Sequence, residues 1–124
     1  MARILVLSEG RGRVGAAASA LATHGYEVQV VPANGAGVGH VTSFWPDLVL
    51  VHFADRMQPG LVADVRSRWT VPVVVWAGRR DQADALQTLR QGADDYFGGE
   101  VEVEEVEARV VAQLRRARWS GGER

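Results

Sequence analysis

Pro46-Asp47-Leu48-Val49-Leu50-Val51-His52-Phe53 is a short, continuous apolar run with one titratable residue near its end. Such a run reads as a strand covered on both faces, the kind found in parallel sheets flanked by helices. In those sheets, ligands and reactive groups gather beyond the carboxyl ends of the strands, so His52 falls where chemistry would sit.

Working outward, Arg3-Ile4-Leu5-Val6-Leu7 is a similar apolar run, and Ala16-Ala17-Ala18-Ser19-Ala20-Leu21-Ala22 after it is a strong helix former that stops at Gly25. Tyr26 to Val31 reads as a second strand that leaves at Pro32. Residues 33 to 45 should cross back over the sheet, but Gly35, Gly37 and Gly39 predict the weakest helix of the chain, short or mobile. After the central strand, Ala54 to Gly60 reads as a polar loop, and Leu61, Val62, Val65 and Trp69 share one helical face. Val71 to Trp76 is a fourth strand with Pro72 at the tolerated place near its start. Asp81 can cap a helix over 82–91 expected to bury Leu86 and Leu89 before Gly92. Ala93 to Phe97 is a short fifth strand, and Val103, Val106, Val110, Leu114 and Ala117 mark a final amphipathic helix.

Strands alternating with helices at this length predict an α/β fold: a doubly wound, flavodoxin-like (βα)5 sandwich on a five-stranded parallel sheet of order 2-1-3-4-5. Residues 1–119 form one domain, and 120–124 read as a tail or the start of a linker. The chain has 124 residues, 47% hydrophobic and 23% charged, which suits a single core. No window resembles a membrane span or a secretory leader, so a cytoplasmic protein is expected. The absence of cysteine removes disulfides, thiolate catalysis and Cys-ligated metal centres. The net charge of −1 offers no field for nucleic acid, and no direct nucleic-acid contact is expected of this domain. All 14 basic residues are arginine, so any mechanism that needs a lysine is excluded.

Gly10-Arg11-Gly12-Arg13-Val14-Gly15 matches the G-x-G-x-x-G pattern between a strand and a helix. Ser8 and Glu9 separate it from the strand, however, and Val31-Pro32-Ala33-Asn34 lacks the acid that would hold a ribose, so no nucleotide cofactor is assigned. A weaker anion-binding reading keeps Gly10, Arg11, Gly12 and Arg13 at the helix start. A flexible loop is the simpler alternative. His24 and His40 are expected to face solvent. Trp45, Trp69 and Trp76 are expected to pack at helix–sheet edges.

Pro46 to Val51, Val71-Pro72-Val73-Val74-Val75, Gly92-Ala93-Asp94-Asp95-Tyr96 and Glu105-Val106-Glu107-Ala108-Arg109-Val110 together resemble response-regulator receiver domains of CheY-like fold. The likeness is closest to receivers that precede winged-helix DNA-binding domains in bacterial two-component signalling. Such a receiver takes a phosphoryl group on an aspartate at the end of its third strand. Two acids after the first strand help to hold Mg²⁺, while a hydroxyl residue and a lysine hold the phosphoryl oxygens. The resemblance places Ser8 and Glu9 at the acidic pair, His52 at the acceptor, Ala77 at the hydroxyl residue and Gly99 at the lysine. A different register takes Asp55-Arg56-Met57-Gln58-Pro59-Gly60 as the signature that follows the acceptor, with Asp55 as acceptor. His52 is preferred because it keeps the spacing to both Asp47 and Gly60.

The implied module is an atypical receiver, not an enzyme, without a cofactor or a metal. It would act by protein contact to control transcription through an attached or partner DNA-binding domain. The resemblance makes Tyr96 the switch aromatic. It also implies a homodimer through the face built by the fourth helix, fifth strand and fifth helix, with Asp95, Glu105 and Arg109 as its charged residues and Ala85 where the family has a basic one. The alternative is a small-molecule or anion sensor that uses the vacant pocket. His52 itself reads as a neutral, hydrogen-bonded strand-end histidine, with metal ligation the rival.

Overall fold

A computed structural model describes residues 2–10 and 12–122, with side chains through residue 117. The elements are β1 Arg3–Ser8, α1 Val14–Thr23, β2 Glu27–Pro32, α2 Gly35–Phe44, β3 Leu48–Phe53, α3 Leu61–Arg68, β4 Val73–Ala77, α4 Gln82–Arg90, β5 Asp95–Gly98 and α5 Val103–Gly122. All strand pairs are parallel, in the order β2-β1-β3-β4-β5. The doubly wound sheet expected from the sequence is therefore the observed one. Among the described residues no helix is long and apolar enough to cross a membrane.

Alternation along the strands divides the core into two layers. Leu5, Leu7, Val49, Val51, Phe53, Val73 and Val75 face α2 and α3, and Ile4, Val6, Leu48, Leu50, Val74 and Trp76 face α1 and α5. Every residue of β3 is buried, as a central strand with helices on both sides requires.

Two expectations are corrected. The crossover after β2 is neither short nor broken, because α2 runs ten residues and buries Val38, Val41 and Phe44. Its start is capped by Asn34, whose Oδ1 accepts from the Gly37 N–H at 3.0 Å. Gly37 is there for contact: a Cβ on it would lie 1.7 Å from the Pro32 carbonyl oxygen. A residue that lowers intrinsic propensity thus lets the helix approach the sheet closely.

The second correction concerns α4. Leu86 and Leu89 are about half exposed, at 51% and 47%, while Asp84 and Thr88 face inward. The inner face is set by polar partners in the loop after β3. Arg56 donates to both Asp84 carboxylate oxygens at 2.9 Å, and the Thr88 hydroxyl donates to Met57 Sδ. These contacts turn the leucines outward.

Smaller differences follow the same logic. β5 begins at Asp95, since the Asp94 carboxylate accepts the Val73 N–H and an Arg66 N–H, which fixes the turn before the strand. α5 runs on to Gly122, over part of the expected tail, and residues 123–124 lie outside the described residues. His24 and His40 are exposed, and His24 also contacts Glu107 on α5. Trp45 ends α2 in the left-handed region, φ 57°, and its ring meets Trp69 edge-on at 5.0 Å. Trp76 is not at an edge; it is buried between His52 and Phe97.

Candidate functional site

Parallel register sets Ser8 beside His52 and His52 beside Trp76 at the carboxyl end of the sheet. The Ser8 Oγ accepts the Gly10 N–H at 2.8 Å and lies 3.1 Å from His52 Nδ1. Which of the two donates follows the imidazole tautomer, since the hydroxyl can either give or accept here. The imidazole is buried and meets the Trp76 ring edge-on at 4.8 Å.

Burial pushes the His52 pKa below its ordinary 6.5, against the opposing pull of Glu9. The ring is therefore neutral at pH 7. The unfolded chain protonates His52 at a higher pH than the folded chain does, so stability is full above the unfolded pKa and declines as pH falls below it. The urea midpoint is expected to drop from about pH 7 to 5, and His52→Asn should flatten that slope. An equal slope in the variant would remove His52 as its cause.

Glu9 closes the end of β3. Its Oε1 accepts the Ala54 N–H at 2.6 Å, and its own N–H donates to the His52 carbonyl at 3.3 Å. A cleft of about 250 Å³ opens here, lined by Arg13, His52, Ala54, Trp76, Glu100 and Val101 among others. Ala77 is fully buried and offers only a methyl group. Gly99, at φ 83°, lines the cleft without a side chain and donates its N–H to the Ala77 carbonyl at 3.2 Å.

Ser8, Glu9, His52, Ala77 and Gly99, the residues expected at the site, are thus brought together at the carboxyl end of the sheet. A hard divalent cation needs several carboxylate or carbonyl oxygens. Here one Glu9 oxygen is held by backbone, Ser8 is committed to His52 and Gly10, and the acceptor position presents nitrogen. Among the described residues no three His, Asp or Glu side chains converge. The family's Mg²⁺ does not fit this donor set.

Asp55, the rival acceptor, lies beyond β3 with its side chain 72% exposed and paired to Arg79 at 3.3 Å. It does not line the cleft. Of the residues of the anion reading, three lie among those described. The Gly10 N–H is taken by Ser8, Arg13 donates to the Val101 carbonyl at 2.9 Å and pairs with Glu102, and Gly12 contributes only backbone to the cleft. Arg11 lies outside the described residues.

Away from the cleft, Asp95, Glu105 and Arg109 meet within one chain. Arg109 Nη1 lies 3.1 Å from both Asp95 oxygens, Nε donates to Glu105 at 3.0 Å, and the guanidinium sits over the Phe97 ring. Burial disfavours the Arg109 charge, but the bonds to Asp95 and Glu105 outweigh it and raise the pKa. Tyr96 is partly buried, and its hydroxyl accepts the Asp81 N–H at 3.2 Å, where α4 begins. Sequence reasoning missed the Arg56–Asp84 pair. Its only trace is that Asp81, Asp84 and Thr88 repeat at helical spacing on α4.

No protein-family model matches the chain. The transcriptional regulatory protein CseB of Streptomyces coelicolor is 36% identical over 112 residues, 83% of this chain and 45% of the relative. The chain spans about half the length of the curated relatives it matches. Among solved structures, the receiver domain of the TMAO respiratory system response regulator TorR is 28% identical with a TM-score of 0.80, covering 94% of this chain and 99% of that one. The BeF3-activated receiver domain of Klebsiella pneumoniae RstA is also 28% identical, with a TM-score of 0.77 and coverage of 91% and 98%. Strand order and these relatives agree, and the chain belongs to the response-regulator receiver domains of two-component systems, with a CheY-like fold.

Proposed function

We propose that this receiver works without aspartyl phosphate and acts by protein contact, as a homodimer that controls an attached or partner DNA-binding domain. The observation that carries the reading is His52: a buried, neutral imidazole bonded to Ser8 stands at the acceptor position, with Ala77 and Gly99 beside it. An acyl phosphate needs a carboxylate, and a developing phosphoryl charge needs hydroxyl and cationic donors. None of these is supplied by those three residues.

The partner face is the side of α4, β5 and α5. Leu86 and Leu89 are exposed there, and Asp95, Glu105 and Arg109 lie on β5 and α5. A twofold axis would use each of them twice. Arg109 is already satisfied within one chain, so apolar contact through the leucines is left as the main attraction. The sensor reading has less support, because Arg13 and the Gly10 N–H are both occupied.

The test is incubation with acetyl phosphate and Mg²⁺, followed by intact mass and sedimentation equilibrium. No phosphoryl adduct and an unchanged oligomeric state are expected. An adduct mapped to Asp55, or a dimer that forms only after treatment, overturns the reading.

A further inference from the structure

Two loops border the cleft, residues 54–60 after β3 and residues 78–81 after β4. They are joined along their backbones, Gly78 N–H to the Phe53 carbonyl at 2.7 Å and Arg79 N–H to the Asp55 carbonyl at 2.8 Å. Side chains extend the junction to α4. Arg56 forks onto Asp84 with two bonds of 2.9 Å and lies 3.8 Å from Asp81, which in turn caps α4 by accepting the Asp84 N–H. One turn further on, Thr88, fully buried, donates to Met57.

We infer that Arg56–Asp84 is a strut: it holds α4, and with it the exposed Leu86 and Leu89, in one position relative to the β3–α3 loop, in place of the phosphate-driven link of a working receiver. The inference deepens the proposed phosphate-independent function and rests on it. A bidentate guanidinium–carboxylate pair fixes orientation as well as distance. Asp84 is buried, so rotation of α4 that breaks the pair strands a desolvated carboxylate. Among the described residues no other side chain donates to Asp84. Hydrogen bonds from Arg56 hold the Asp84 carboxyl below the usual carboxylate range despite its burial. A move of α4 that parts the pair must find the Asp84 carboxylate new donors or water, which biases the helix toward the observed position.

Hydrogen exchange on the full chain tests this. In Arg56→Gln and Asp84→Asn the amides of residues 82–90 are expected to exchange at least about tenfold faster, with α1 and the sheet unchanged. Arg68→Gln breaks an exposed pair with Asp64 and serves as control. The strut is refuted if α4 loosens no more than in the control, or if α1 and the sheet loosen equally. Arg56 is half exposed, so its variant decides the matter should Asp84→Asn fail to fold. The two failures are distinct. Phosphorylation of the wild-type chain would sink the phosphate-independent reading and with it the strut as a substitute for the phosphate link, whereas unchanged α4 exchange without phosphorylation would sink the strut alone.

Discussion

Trp76→Ala is expected to lower the unfolding free energy by about 4 kcal/mol, the range seen when a large aromatic is cut to a methyl in a packed core. Trp76 is 3% exposed and belongs to the layer that faces α1 and α5. Its ring meets His52 on one side and stacks on Phe97 at 6.1 Å on the other, so two aromatic neighbours lose packing at once. The hole would open beneath the cleft, under a neutral histidine that needs its dry surroundings. Domains of this kind hold only about 5–15 kcal/mol in total, so the variant should stand near its threshold. Urea denaturation with Trp76→Phe alongside is the measurement. A loss below about 1.5 kcal/mol would mean that the site refills or collapses easily, contrary to the packing described.

Gly78→Ala should cost about 3 kcal/mol, the upper end of overpacking penalties. The added Cβ would lie 1.9 Å from the Ala54 carbonyl oxygen and 2.6 Å from its carbon. Both atoms are backbone, so neither can swing aside. Relief requires the β3–α3 and β4–α4 loops to part, which breaks the bonds from Gly78 and Arg79 to Phe53 and Asp55. Gly15→Ala on α1 is the counterpart, since a Cβ there meets nothing within 4 Å and alanine favours helix by up to about 1 kcal/mol. Thermal denaturation should move in opposite directions for the two variants. A stable Gly78→Ala protein would show that the loops are not tied as described.

The sheet was legible because β1, β3 and β4 are apolar runs and because parallel strands covered on both faces need no alternation. The position of His52 followed from the same run. Its hydrogen bonding did not, since the Ser8 contact spans 44 positions and depends on register. Composition misread α2, where Gly37 costs propensity but permits the approach to Pro32. Periodicity misread α4, where Leu86 and Leu89 mark an apolar stripe that polar anchors turn outward. The Arg56–Asp84 pair was invisible for the same reason: 28 positions separate a loop arginine from a helix aspartate, and only the fold makes them neighbours. Asp55 shows the converse. A local likeness to a signature says nothing of where the strand ends, and Asp55 lies past the end of β3 and outside the cleft.

The contact between His52 and Trp76 has an optical consequence. A protonated imidazole quenches an adjacent indole, whereas a neutral one does so weakly. Trp45 is exposed before the start of β3, at the opposite edge of the sheet from this pair. With Trp45, Trp69 and Trp119 replaced, Trp76 would remain as the one fluorophore, set against the buried ring, so that the charge state of His52 could be followed by emission.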